Sequence, residues 1–235
     1  MTLGPENTLP TFDAGMNDGA DGLELDVHLS SDGEVVVHHD LTLERTTRGT
    51  GPVAARTAAE LAELGVPTLR QVLERYPKAR IIVEMKGEAS ALGEAVAREV
   101  REQGAVDRVC AAGFGAGPIV AARRALPEMV TGAHQAEVRQ ALRRTWLCWP
   151  LRSCAWQGYQ IPERAGRLRV VSRRFVRYAH LAGLGVQVWT VDEEADMRRL
   201  LDWGVDALIS NRPGLAVRVR DEWVSGTQDT SSPRS

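Results

Sequence analysis

Short runs with the two-residue period of a β-strand alternate with runs of helical period along almost the whole chain, and this alternation restricts the fold more than any other feature. Thr8 can cap a first helix with Pro10 in its opening turn and Leu9, Phe12 and Met16 on one face. Gly22-Leu-Glu-Leu-Asp-Val-His28 then alternates strictly, Ser31-Asp-Gly33 marks a turn, and Val35–Val37 follows, so a strand ending in a small hairpin is expected. Thr57-Ala-Ala-Glu60 is a capping box, and Thr68 opens another helix with Leu69, Val72, Leu73 and Tyr76 in line, stopped by Pro77. Further strands are predicted at 81–86, 109–114, 130–134, 158–161, 186–191 and 207–210. They alternate with helices at 90–103, 118–126, 136–144, 172 to about 181, 193–202 and 213 to about 223. The polar tail 225–235 reads as disordered.

Strands alternating with helices imply parallel pairing through βαβ units. The 235 residues suit one (β/α) barrel of TIM type, which takes roughly 250, as a single domain over residues 1–224. With the hairpin set aside, seven barrel strands are counted, and closure calls for about eight. An open doubly wound sheet is the alternative, but there is no G-x-G-x-x-G for a dinucleotide. Gly113-Phe-Gly-Ala-Gly117 has the wrong spacing for one and reads as a turn between strand and helix.

Hydrophobic residues make up 43% of the chain, enough for a sizeable core, and the net charge is −2 with acids and bases interspersed. No basic stripe points to nucleic acid. Cys110, Cys148 and Cys154 form no CxxC pair and read as reduced thiols, although Cys148 and Cys154 could pair in an oxidising compartment. No apolar run approaches the roughly 20 residues that span a bilayer. Met1-Thr-Leu-Gly-Pro5 lacks a basic, apolar signal pattern, so a cytoplasmic location is expected. Nothing in the sequence specifies an oligomeric state.

Residues two apart on a strand face the same way, so Glu24 and Asp26 project together while Leu23, Leu25 and Val27 project oppositely. With the apolar set against helices, the carboxylates point into the barrel near the strand's C-terminal end, where barrel enzymes keep their active sites. Two like charges there repel unless a cation neutralises them, and Mg²⁺ or Ca²⁺ suits carboxylate oxygens. Glu84 and Lys86 repeat the geometry on the next barrel strand, about 4.8 Å away. Glu84 can then reach the same ion, with Lys86 a positive charge for an anionic substrate; a buried Glu84–Lys86 ion pair fits the pattern equally. His38-His-Asp40 follows the hairpin strand. His39 suits proton transfer beside a metal, with Asp40 as its orienter or as a turn cap, and ordinary loop histidines are the plainer reading. His28 shares the parity of Glu24 and Asp26 and is a rival ligand. Trp189 shares parity with Gln187, either lining the cavity against a substrate's carbon skeleton or packing in the core. Trp146, Trp149 and Trp156 lie in or just after the basic, aromatic stretch 143–152, which reads as a packed barrel loop or as a membrane-surface contact.

These residues sit within a set of pieces that resembles the glycerophosphodiester phosphodiesterase family. The pieces are Pro5-Glu-Asn-Thr8, Gly19-Ala-Asp-Gly-Leu-Glu-Leu-Asp-Val27, His39-Asp40, Arg45-Thr-Thr-Arg-Gly-Thr-Gly51, Pro67-Thr-Leu69, Val83-Glu-Met-Lys86, Val188-Trp-Thr-Val-Asp192 and the run from Gly204 to Pro213. The resemblance implies a barrel enzyme that hydrolyses small-molecule glycerophosphodiesters to sn-glycerol 3-phosphate and an alcohol. It implies Glu24, Asp26 and Glu84 as ligands of a divalent metal, Mg²⁺ or Ca²⁺, and His39 as one of two acid/base histidines. Lys86 is implied as a phosphate contact and Trp189 as a pocket wall. The family begins with a strand ending in His-Arg-Gly shortly before Pro-Glu-Asn-Thr, and here Met1 stands four residues before Pro5, so that strand, its His and its Arg are expected to be missing. Asn211 stands where the family often has Asp. Two expectations follow: metal-dependent hydrolysis, or an impaired relative that binds metal and phosphodiester without efficient turnover.

Overall fold

A computed structural model describes residues 4–151 and 154–230. It divides into two units, one drawn from Leu3–Met16 and Asp21–Arg139, the other from Asn17–Ala20 and Gln140–Ser235.

In the first unit, helix α1 (Leu9–Asn17) precedes strand β1 (Gly22–Leu29), which turns back into β2 (Val35–Val37). Helices α2 (Ala58–Glu63) and α3 (Leu69–Arg75) lead to β3 (Arg80–Met85), followed by α4 (Ser90–Glu102), β4 (Val109–Ala112), α5 (Ala116–Ala125), β5 (Val130–Thr131) and the start of α6 (Gln135–Trp146). The sheet order is β2-β1-β3-β4-β5, parallel throughout apart from the hairpin strand β2. The predicted capping box of Thr57 with Glu60 forms at α2, and Thr68, expected to open α3, does so in a second box with Gln71. Leu25, Val27, Ile81, Val83 and Met85 are buried in a core shared with Leu69, Val72 and Leu73 of α3 and Val96 and Val100 of α4. Phe12 of α1 meets Tyr76 edge to face, and Arg75 pairs with Asp13 at 2.6 Å, so α1 is fastened to the end of α3.

The second unit holds β6 (Gly158–Pro162), β7 (Arg164–Ala165), β8 (Leu168–Arg169), α7 (Arg173–Leu181), β9 (Gly185–Trp189), α8 (Glu194–Asp202), β10 (Ala207–Leu208) and α9 (Pro213–Thr230). Its parallel sheet runs β10-β9-β6. Ser172 caps α7 by accepting from the Phe175 N–H.

All seven expected barrel strands therefore form, and among the described residues no strand precedes α1. Three expectations need correction. The predicted strands 109–114, 130–134 and 207–210 are shorter, and past two of them side chains enter the bonding: the His134 N–H donates to Glu137 at 2.9 Å and Ser210 Oγ to Asp192 at 2.9 Å. The exposed hairpin β7–β8 was not expected, since strands of two residues are too short to show a period. Helix α9 continues to Thr230 rather than ending near Trp223, so residues 225–230 of the expected tail are helical; residues 231–235 lie outside the described residues.

Candidate metal centre and acid–base site

The register of β1 on β3 sets Asp26 directly opposite Glu84, with Glu24 one pleat earlier on the same face. One oxygen from each of Glu24, Asp26 and Glu84 lies within 4.8 Å of the others. Lys86 Nζ bridges two of them, 2.7 Å from Asp26 Oδ1 and 2.6 Å from Glu84 Oε1. Burial, and then the charges of Asp26 and Glu84, push the Glu24 carboxyl well above its ordinary range. Burial by itself would lower the Lys86 pKa, but the two carboxylates outweigh it and the pKa is raised. Three carboxylates set against one ammonium would, with all three ionised, leave an excess that one divalent cation matches. All the donors are hard oxygens, so the set fits Mg²⁺ or Ca²⁺ better than a thiolate- or imidazole-seeking metal. The ion pair weighed from sequence is thus present, and it sits inside the carboxylate cluster rather than replacing it.

Asn7 holds Asp26 from the other side. Its amide nitrogen donates to Asp26 Oδ2 at 2.8 Å, and its amide oxygen accepts the Asp26 backbone N–H at 3.0 Å. Asn7 is buried at φ +59°, a region Asn tolerates better than most residues. An Asp could take the backbone N–H but would face its own kind at Oδ2.

His39 follows β2 at the surface. The His38 N–H donates to the Asp26 carbonyl at 2.9 Å, and His28 Nε2 lies 3.2 Å from the His39 carbonyl, so the loop backbone is tied to the strand bearing the cluster. A carbonyl only accepts, so this contact makes His28 Nε2 the donor and leaves the ring's lone pair on Nδ1. Burial also lowers the His28 pKa. His38 Nε2 is committed in the same way to the Thr42 carbonyl at 3.0 Å. The His39 ring turns Nδ1 to Asp40 Oδ1 at 2.6 Å. Arg45 grips Asp40 at 2.5 and 2.9 Å and holds its carboxyl far below the usual range. Asp40 is therefore the acceptor, His39 Nδ1–H the donor, and Nε2 is left to take or give a proton. Glu6 pairs with the same guanidinium.

The structure thus gathers Glu24, Asp26, Glu84 and Lys86 and ties the His39 loop to β1. Trp189 stands on β9 in the other unit, half-buried beside Gln187 on one face while Val186 and Val188 are fully buried on the other. Gln187 accepts from Gln160 at 2.9 Å. Sequence reasoning gave no roles to Asn7, Glu6 or Arg45; their membership in two of the resembling pieces was the signal. Asn211 also has its reason: its backbone N–H and amide donate to the two oxygens of Asp192 at 2.8 and 3.0 Å.

A model of the glycerophosphoryl diester phosphodiesterase family matches residues 2–215. The chain belongs to this family. A glycerophosphodiester phosphodiesterase of Bacillus altitudinis is 28% identical over 93% of the chain and 94% of its own length. Among solved structures, the glycerophosphoryl diester phosphodiesterase domain of an uncharacterized Mycobacterium tuberculosis protein superposes with a TM-score of 0.80 at 22% identity, covering 93% of this chain and 95% of that one. An Oleispira antarctica phosphodiesterase in complex with the product sn-glycerol-3-phosphate gives 0.75 at 25% identity, covering 93% and 92%. The fold class of these glycerophosphoryl diester phosphodiesterases is the TIM-type (β/α) barrel expected from the strand–helix alternation. As a member of the family, the chain is a phosphoric diester hydrolase.

Proposed function

We propose that the chain hydrolyses a small glycerophosphodiester to sn-glycerol 3-phosphate and an alcohol, with a divalent cation held by Glu24, Asp26 and Glu84. The observation that carries this reading is the three-carboxylate cluster bridged by Lys86 on β1 and β3, within a chain of this family. When bound, Mg²⁺ or Ca²⁺ supplies Lewis-acid polarisation of the phosphoryl oxygen and offsets its charge. Lys86 is the ammonium assigned to a phosphate oxygen. His39, with Nδ1 fixed on Asp40, exchanges a proton at Nε2 with the attacking water or the departing alkoxide oxygen. In the balanced step water adds to phosphorus, the bond from phosphorus to the alcohol oxygen breaks, and that oxygen leaves protonated. Trp189 is assigned to the carbon skeleton of the substrate.

The test is release of sn-glycerol 3-phosphate from glycerophosphocholine by the purified chain, with Mg²⁺ or Ca²⁺ and with a chelator. Release should require the cation and fall about 10²–10⁴-fold in His39→Ala. Turnover that survives chelation would overturn the metal assignment, and metal binding without any turnover would leave an impaired binding relative.

A further inference from the structure

The stretch that leads out of α6 carries large apolar side chains into solvent. Trp146, Leu147 and Trp149 are each nearly 60% exposed, and Leu181 at the end of α7 is 75% exposed. They belong to one surface, because Cys148, Pro150 and Leu151 line a shallow depression of about 220 Å³ together with Tyr178 and Leu181. The loop is held there: Arg144 donates to the Pro150 carbonyl at 3.0 Å, and Arg174 Nη1 lies 3.9 Å from Cys148 Sγ. Adjacent exposed aromatic and aliphatic groups are costly in water, so a patch of this kind marks a contact site.

The segment that carries the patch is strongly basic, with Asp206 the acid that meets it from outside, paired with His180 at 2.9 Å. Residues 140–181 contain nine arginines and a single acid, Glu163, in a chain whose net charge is −2. Glu163 is itself engaged by Arg199 at 2.8 Å. Arg143, Arg173, Arg174 and Arg177 are exposed, and Arg174, Tyr178 and Leu181 follow one another at helical spacing on α7.

We propose that this patch docks the protein on a membrane surface carrying anionic lipid headgroups. Four apolar side chains fall far short of the roughly 20–30 residues a side that a stable protein interface uses. Exposed indole rings on an arginine-rich segment match the boundary between acyl chains and headgroups, where tryptophan concentrates. Arginines near an anionic leaflet add attraction without demanding a fixed geometry. No helix among the described residues is long and apolar enough to cross a bilayer, which makes this contact an interfacial one. The inference stands on the surface alone and does not depend on the phosphodiesterase reading.

The test is co-sedimentation of the full chain with vesicles of phosphatidylcholine alone and of phosphatidylcholine mixed with phosphatidylglycerol, at low and high salt. Binding is expected to the mixed vesicles and to weaken with salt. It should fall at least about tenfold in the double variant Trp146→Ala/Trp149→Ala, and about fivefold for each of Arg174→Gln and Arg177→Gln. The arginine variants keep the test decisive if the tryptophan variant misfolds by circular dichroism. Failure to bind mixed vesicles at low salt, binding indifferent to lipid charge and salt, or variants that bind like the parent would overturn the proposal. So would a dimer in solution that the arginine variants dissociate, which would make a second copy the occupant.

Discussion

At the scale of single residues, the centre is a set of side chains whose partners fix their chemistry. Asn7 is the clearest case, since one amide supplies both a donor and an acceptor to Asp26. Outer partners of metal ligands are typically worth 10–100-fold in affinity. Asn7→Ala should therefore weaken Mg²⁺ or Ca²⁺ binding by about that factor, read by calorimetric titration. Asn7→Asp should restore little, since it cannot donate to Oδ2. Lys86 gives a second prediction. Removing one partner of a buried ion pair costs roughly 3–5 kcal/mol, so Lys86→Met should lower the thermal midpoint sharply in chelator and far less with the divalent cation present. Equal losses in both conditions would mean that the ammonium and the cation do not share the same carboxylates. The cluster itself was legible in the sequence, because Glu24, Asp26, Glu84 and Lys86 sit two apart on alternating strands and the period dictates their face. Asn7 was not, because it reaches Asp26 across 19 residues from a loop with no period. For His28, parity gave only its face, and the contact of its Nε2 with the His39 carbonyl could not be read from the sequence.

At the scale of elements, backbone contacts decide what side-chain patterns leave open. Helices α4 and α5 meet at Gly93, where an added Cβ would stand 2.0 Å from the Pro118 carbonyl oxygen. Gly93→Ala should cost about 1–3 kcal/mol or more by forcing the helices apart, measured as a fall in the denaturant midpoint. The glycines of the 113–117 run act similarly: a Cβ on Gly115 or Gly117 would meet the carbonyl of Gly87 or Glu88 at 2.2 Å. That run lets the β4–α5 turn lie against the β3–α4 turn, which is its whole explanation and has nothing to do with a dinucleotide. Caps were legible because they are local: Thr57 with Glu60 and Thr68 with Gln71 each close within four residues. Strand ends were not, because what the backbone meets past β5 is the Glu137 carboxylate on the following helix, at the His134 N–H.

At the scale of the whole molecule, stability and metal binding are linked. A ligand at a hundred times its dissociation constant stabilises the native state by about 2.7 kcal/mol. For 235 residues that corresponds to a rise in thermal midpoint of roughly 5–10 °C. Scanning fluorimetry with Mg²⁺, with Ca²⁺ and with chelator should show such a rise, and Glu24→Gln should diminish it. The charge of the whole chain hides its own distribution: a net of −2 coexists with the arginine-rich segment 140–181, which is why the composition read as evenly mixed. Lys86 has a further consequence, for the folding of the chain. A bare trio of acids would oppose closure of this part of the sheet. With an ammonium already seated between Asp26 and Glu84, β1 and β3 can pair without waiting for a cation.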